Sequence, residues 1–327
     1  MSNKIRKFSF DEVVDRLIEL KAAAHENYLA MYSSWYGGIV VDPALMMVPI
    51  DDHLVHRGDG IFEAFKCIKG KVYGLERHLE RLEGSARGIF LELPSDRTGL
   101  TNIIRSTIRA AGVQDCIVRL FVSRGPGGFS TNPYECPSSQ LYVICTRLHA
   151  PPAVQYEAGV TLKSSRIPVK KAYLANMKSC NYLPNVLMKK EAEDAGVHFT
   201  VSIDDDGYLG EGATENVGII TRERKLLVPR FDRVLRGTTV TRVMELAAKL
   251  AADGRLARVG EADITPREAY DAAEILMFGT SFDVLPVVRY DDRPIGTGAP
   301  GPIFRQLLAL IREDMKSCDE MLTPVED

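Results

Sequence analysis

Segments with the two-residue period of strands and segments with helical spacing are interleaved along this chain, but not in the strict alternation that builds a parallel, doubly wound sheet. The pattern constrains the fold to α+β, with mixed or antiparallel sheets. Ser9 and Glu12 form an S-x-x-E capping box ahead of Val13, Val14, Leu17 and Ile18. The helix they open is expected to run to about Met31 and to pack as a cap. Extended chain is expected over residues 37–50, and two short strands over 61–73 around Lys69-Gly70-Lys71. Leu75, Leu79, Leu82, Ala86 and Ile89 mark one helix, and Leu100, Ile103, Ile104 and Ile108 another. Strands at 116–123 and 140–146 complete a first half.

A chain of 327 residues exceeds the usual single-domain size. The segment His149-Ala150-Pro151-Pro152-Ala153 follows neither period and carries two prolines, which marks it as a linker. The reading is a small N-terminal domain over residues 1–148, a linker at 149–155 and a larger C-terminal domain over 156–327. The second half is expected to hold strands at 160–164, 216–220, 226–228, 273–278 and 285–290. Helices are expected near 182–195, 238–252 and 302–315, with a hairpin turning at Asp204-Asp205-Asp206-Gly207.

Composition narrows the partners. Forty-one basic against forty-four acidic residues leave a formal charge of −3 with no basic block, so a nucleic-acid partner is not expected. No stretch approaches the roughly 20 apolar residues of a membrane span, and the first residues have no signal-peptide core. Six scattered cysteines without a C-x-x-C pair or a histidine cluster argue against a metal site or a disulfide scaffold, and fit a reducing cytoplasm. Gly125-Pro126-Gly127-Gly128 lacks the Lys-Ser/Thr of a nucleotide loop, and no G-x-S-x-G elbow occurs.

Lys178 is the sole charged residue between positions 172 and 188, where a charged fraction of 26% would place about four. Isolation of this kind points to a desolvated amine with a lowered pKa, usable as a nucleophile or Schiff-base former. A lysine whose stem lies in the core while its ammonium reaches water is the alternative. Glu211 stands between Gly210 and Gly212, either as a carboxylate aimed into a site or as a solvated turn residue. Arg236-Gly237-Thr238-Thr239 opens a helix and offers N–H groups, hydroxyls and the helix dipole to an anion, or serves as an ordinary N-cap. Gly279-Thr280-Ser281 follows a strand and is either a turn or the other side of the same anion pocket, while Arg81 by composition reads as part of a solvated helix face.

Taken in order, these pieces resemble the class IV (fold type IV) pyridoxal-phosphate aminotransferases, a family with branched-chain aminotransferases, D-amino-acid transaminases and aminodeoxychorismate lyases. The matching pieces are His56-Arg57-Gly58-Asp59-Gly60-Ile61-Phe62-Glu63, His78-x-x-Arg81-Leu82, residues 178–192, residues 207–216, Gly237-Thr238-Thr239 and Gly279-Thr280-Ser281. Similarity is greatest to the plant D-amino-acid aminotransferase-like branch, including Tyr28-Leu29-Ala30-Met31-Tyr32-Ser33-Ser34. The resemblance implies a small α/β N-terminal domain, a C-terminal pseudo-barrel domain and pyridoxal 5'-phosphate between them, in a homodimer whose small-domain loops reach the neighbouring site. It implies that Lys178 forms the internal aldimine and shuttles the proton, that Glu211 faces the pyridine nitrogen, and that Arg81 binds the phosphate. Thr238, Thr239, Thr280 and Ser281 would complete the phosphate contacts, and Tyr182 would hydrogen-bond the cofactor's phenolic oxygen.

The implied reaction is transamination between an amino acid, branched-chain or D, and a 2-oxo acid. The alternatives are an aminodeoxychorismate lyase releasing p-aminobenzoate and pyruvate, and a non-catalytic cofactor-binding protein. On the substrate side the Arg-x-His carboxylate trap of Bacillus-type D-amino-acid transaminases is replaced by Phe129 and Thr131, and its tyrosine by Phe62. Arg119 and Arg124 remain as candidates to hold a substrate carboxylate, or are structural.

Overall fold

The computed structural model describes residues 5–20, 23–168, 170 and 172–326. The first part runs through α1 (Phe10–Glu19), β1 (Tyr28–Ser33), β2 (Gly38–Val40), α2 (His53–Arg57), β3 (Gly60–Ile68), β4 (Lys71–Tyr73), α3 (Leu75–Gly88), α4 (Arg97–Ala111), β5 (Cys116–Ser123) and β6 (Gln140–Arg147). It continues with α5 (Ala153–Glu157), β7 (Val160–Ser164), α6 (Ala172–Ala175), α7 (Leu183–Asp194), β8 (Phe199–Ile203), β9 (Leu209–Gly212), β10 (Asn216–Ile220) and β11 (Lys225–Pro229). The last part comprises α8 (Thr238–Ala252), β12 (Arg258–Ala262), α9 (Pro266–Tyr270), β13 (Glu274–Gly279), β14 (Asp283–Tyr290), β15 (Arg293–Pro294), α10 (Pro302–Ser317) and β16 (Leu322–Pro324).

Two sheets result among the described residues. The first is antiparallel throughout, in the order β16-β4-β3-β5-β6-β1-β2. Its strands show one face, with Ile61, Phe65, Val118, Leu120 and Val143, to α3 and α4, whose Leu79, Leu82, Leu100 and Ile104 fill the same core. The second sheet, β12-β11-β10-β13-β14-β7-β8-β9, is mixed, with parallel pairs at β11/β12, β14/β7 and β7/β8. It is apolar on both faces: Leu276, Phe278 and Val284 pack with α8 and α10, while Val217, Ile219, Met277 and Leu285 line the other core. That double burial explains why β10 and β13 read as continuous apolar runs rather than alternating ones.

The expected boundaries hold for β5, β7 and α8 and differ at the ends of the chain. Helix α1 stops at Glu19 rather than near Met31; residues 21 and 22 lie outside the described residues, and Tyr28–Ser33 is a strand paired with both β2 and β6. Pairing decides there, because two sheet neighbours bury Ala30 and Met31 more completely than a surface helix would. Nor is α1 a packed cap, since it buries no residue, although its capping box forms as expected. We therefore expect Val14→Ser in α1 to change stability by less than about 0.5 kcal/mol in urea unfolding. The span 149–155 is not wholly irregular, because α5 begins at Ala153. Strands β12 and β16 carried no readable period: β12 holds Arg258, Gly260 and Glu261, and β16 is three residues that return to pair with β4 of the first sheet.

Candidate active site

Helix α3 presents His78, Arg81 and Ser85 at helical spacing, the first two to Glu63 and the third to the Lys178 backbone. Glu63 stands in the run Ile61, Glu63, Phe65, Cys67 on the core face of β3, and is fully buried. A carboxylate in that position requires partners, and it has them. Arg81 Nε and Nη2 donate to its two oxygens at 2.8 and 2.7 Å, and His78 Nδ1 lies 2.7 Å from Oε2. Burial opposes ionisation of Glu63, but Arg81 and His78 outweigh it and hold the carboxyl down at about 2. Burial also lowers the His78 pKa and so favours the neutral ring. Its Nδ1–H then donates to Glu63, leaving Nε2 to accept from the Thr238 hydroxyl at 3.3 Å. A third Arg81 nitrogen donates to the Arg236 carbonyl at 3.1 Å. Two N–H groups of Arg81 remain, one on each terminal nitrogen.

Lys178 is placed by backbone pairing between the two halves of the molecule. The start of β3 pairs with β5 along one edge and leaves its other edge free. There Phe62 N–H donates to Lys178 O at 2.9 Å and Cys180 N–H to Gly60 O at 2.8 Å, in an antiparallel bridge of Ile61 with Ser179. Ser85 Oγ accepts from Lys178 N–H at 3.1 Å. The ammonium lies 4.5 Å from the Phe62 ring centroid, and Phe62 meets Tyr182 edge to face at 5.0 Å. Desolvation, reinforced by the Arg81 charge, lowers the Lys178 pKa to about 8, so a useful fraction is the free amine near neutral pH.

Lys178, Arg81, Tyr182, Glu211, Thr238, Thr239 and Thr280 all line one cavity that opens to solvent. A concave site with several convergent polar groups suits a small molecule. Glu211 is carried on β9, where Ser202 on β8 accepts its N–H at 3.1 Å, and its Oε2 accepts from Leu235 N–H at 3.2 Å. Burial raises its pKa to about 7 despite that hydrogen bond and the Lys178 charge. Gly237 caps α8 without a side-chain hydrogen bond, so the first N–H groups of the helix are open to an anion. A Cβ there would stand 2.0 Å from Asn216 Oδ1, so any larger residue must move that side chain. We expect Gly237→Ala to displace Asn216, which donates to Leu235 O, and to weaken anion binding at least about tenfold by phosphate titration.

The raised pKa of Glu211 has a sign that can be tested in the cofactor-free protein. Between pH 4.5 and about 7 the folded state holds the proton more tightly than the unfolded state, so this group's contribution to stability falls as pH rises through that window. Glu211→Gln is expected to raise the melting temperature of the cofactor-free protein at pH 8 and to leave it unchanged at pH 4.5, read by circular dichroism.

The remaining sequence candidates lie elsewhere. Ser281 is exposed and does not line the cavity. Phe62 backs Lys178 without lining the cavity. Arg124 is held by both Asp59 oxygens at 3.0 Å and by the Phe90 and Ile89 carbonyls at 2.8 and 2.9 Å, which fixes the loop after β5. Arg119 is exposed on β5 and donates to Thr146 Oγ1 at 2.8 Å. Sequence reasoning assigned no role to Glu63, His78, Ser85 or Lys170. The available signal was an acid at an inward position of β3 with His78 and Arg81 three residues apart on the next helix.

No described helix is long and apolar enough to cross a membrane. Residues 60–290 match the family described as amino-transferase class IV. The chain is 39% identical over 297 residues to a D-amino-acid transaminase, chloroplastic, of Arabidopsis thaliana, covering 90% of this chain and 79% of the relative. It is 30% identical over 275 residues to a putative branched-chain-amino-acid aminotransferase of Methanocaldococcus jannaschii, covering 84% of this chain and 93% of the relative. Its structure is similar, with a TM-score of 0.83 and 25% identity over 91% of this chain and 99% of the other, to the T.th. branched-chain amino acid aminotransferase complexed with N-(5'-phosphopyridoxyl)-L-glutamate. With the family match spanning most of the chain, and with a lysine, a carboxyl and an anion-binding helix start around one cavity, the protein belongs to the class IV aminotransferases.

Proposed function

We propose that this protein transfers an amino group from a D-amino acid to a 2-oxo acid, with pyridoxal phosphate as resident cofactor bonded to Lys178. The observation that carries the reading is the single cavity in which Lys178, Glu211, Arg81 and the start of α8 meet. The residues fit the cofactor: an uncapped helix start beside an arginine with free N–H groups suits a phosphate, and an acid buried without a salt bridge suits a protonated ring nitrogen. When bound, pyridoxal phosphate supplies an aldehyde carbon to take up the amino group and a ring to accept electrons from the Cα–H bond. Lys178 Nζ would hold the cofactor and, as a free amine, would take the proton from the substrate Cα. Glu211 would keep the ring nitrogen protonated. Arg81, Thr238, Thr239 and Thr280 would bind the phosphate, with Glu63 and His78 holding Arg81 and Thr238 in position, and the Tyr182 hydroxyl would serve the phenolic oxygen.

The 39% likeness to the Arabidopsis transaminase supports a D-amino acid as donor. The division at residues 149–155 into a small and a larger unit belongs to the same reading, with β16 returning to the first sheet. So does a homodimer: Trp35, Tyr36, Val41, Leu45, Met47 and Ile50 are exposed in one stretch of chain, and a second copy would cover them. A reducing compartment, the cytoplasm, suits six free cysteines. The deciding experiment incubates the holoenzyme separately with D-alanine, L-leucine, L-glutamate and aminodeoxychorismate. Conversion of the cofactor spectrum by D-alanine is expected. Conversion by L-leucine alone would reassign the donor, and formation of p-aminobenzoate would reassign the reaction to a lyase.

A further inference from the structure

A substrate carboxylate entering this cavity loses water and must be given a cation or hydrogen-bond donors in exchange. The arginines that flank the first sheet do not supply one, because Arg124 is tied to Asp59 and two carbonyls and Arg119 lies outside the cavity. Among the described residues, three cations line it: Arg81, Lys178 and Lys170. Arg81 is held by Glu63 and the Arg236 carbonyl, with its two remaining N–H groups assigned to the cofactor phosphate on the reading above, and Lys178 carries the chemistry. Lys170 remains.

We infer that Lys170 receives the carboxylate of the amino-acid and 2-oxo-acid substrates, an inference that rests on the transamination reading. Its ammonium lies 4.7 Å from the centroid of the Tyr182 ring, and Tyr182 packs edge to face on Phe62, the ring that carries the Lys178 ammonium. The two amines are thus seated on adjoining rings of one aromatic wall. A ring orients an ammonium without neutralising it, and Lys170 forms no ion pair among the described residues. Burial lowers its pKa, with the Glu211 charge acting in the opposite sense, so an arriving carboxylate would relieve a desolvated charge. A compact ammonium with three donors on a flexible stem can follow the carboxylate of either the amino acid or the oxo acid.

The test uses holoenzyme of the wild type, K170Q and K170R, with 4-methylvalerate as a carboxylate that cannot react and its neutral amide as control, both measured by isothermal titration calorimetry. K170Q is expected to weaken 4-methylvalerate binding by about tenfold or more, K170R to keep most of it, and the amide to bind all three proteins equally. In turnover with D-alanine, the loss in K170Q should appear in KM more than in kcat. Equal 4-methylvalerate affinity in wild type and K170Q, or an equal loss for the amide, would overturn the assignment. Failure of the wild type to transfer an amino group from any donor would instead reject transamination, and the calorimetric comparison would still decide whether Lys170 binds carboxylates.

Discussion

Replacing Lys178 with alanine is expected to lower kcat by about 10⁴-fold or more, because on the proposed function the same nitrogen would serve as covalent anchor and as the base at Cα. Borohydride reduction of the wild-type holoenzyme should label the peptide that contains Lys178, and the variant should lose that label. Arginine will not substitute, since a guanidinium does not give up its proton near neutral pH. A variant retaining activity within tenfold of wild type would reject the assignment. The same change carries a second signature. Lys178 has its pKa lowered from 10.5 to about 8 by desolvation, so the cofactor-free folded state binds this proton less tightly than the unfolded chain. The resulting penalty is full below pH 8 and is lost as pH rises to 10.5. Lys178→Met should therefore raise the melting temperature of the cofactor-free protein at pH 7 and have no such effect near pH 10.5. A residue kept at a cost to stability is what a reactive group requires.

Glu63→Gln is expected to cost about 3 kcal/mol or more in urea unfolding, and to weaken cofactor binding as well. Glu63 is fully buried and accepts two hydrogen bonds from Arg81 and one from His78. An amide in its place leaves a buried guanidinium uncompensated and turns a donor toward it. Arg81 would then lose the fork that aims its free N–H groups at the cavity. The double variant Glu63→Gln with Arg81→Met should recover part of the stability but none of the cofactor affinity, since it removes the unpaired charge along with the binding group. The pH dependence follows from the carboxyl being held at about 2 instead of 4.5: the wild type's advantage over the single variant is full above pH 4.5 and fades as pH falls toward 2.

Much of the molecule was legible before its structure. Strands β5 and β7 and helix α8 follow from local period, and the segment around Lys178 stood out because it lacked other charge. Cavity residues from distant parts of the chain were placed together by the order of motifs alone, and Thr238, Thr239 and Thr280 do meet Arg81, Lys178 and Glu211 at one site. What was misread depended on neighbours. The segment 28–33 has a composition that either helix or strand accepts, and its pairing with β6 across more than a hundred residues settled the matter. Arg124 stood open between a substrate ligand and a structural residue, because an arginine at the tip of a strand is exposed to a site or to its own loop with equal ease. Asp59, far from it in sequence, decided for the loop.

The sequence by itself determined an α+β chain with mixed or antiparallel sheets, the helix start at Gly237 and the isolation of Lys178, because these depend on residues close together in the chain. Only the tertiary structure decided which charges are spent and which are free. Arg81, Arg124 and Lys170 are alike in composition. The first is oriented by a buried acid, the second is consumed by a loop, and the third faces the cavity over a tyrosine ring. A cation's role depends on the few ångströms to its partners and on the water removed around it, and both are fixed only when distant segments pack.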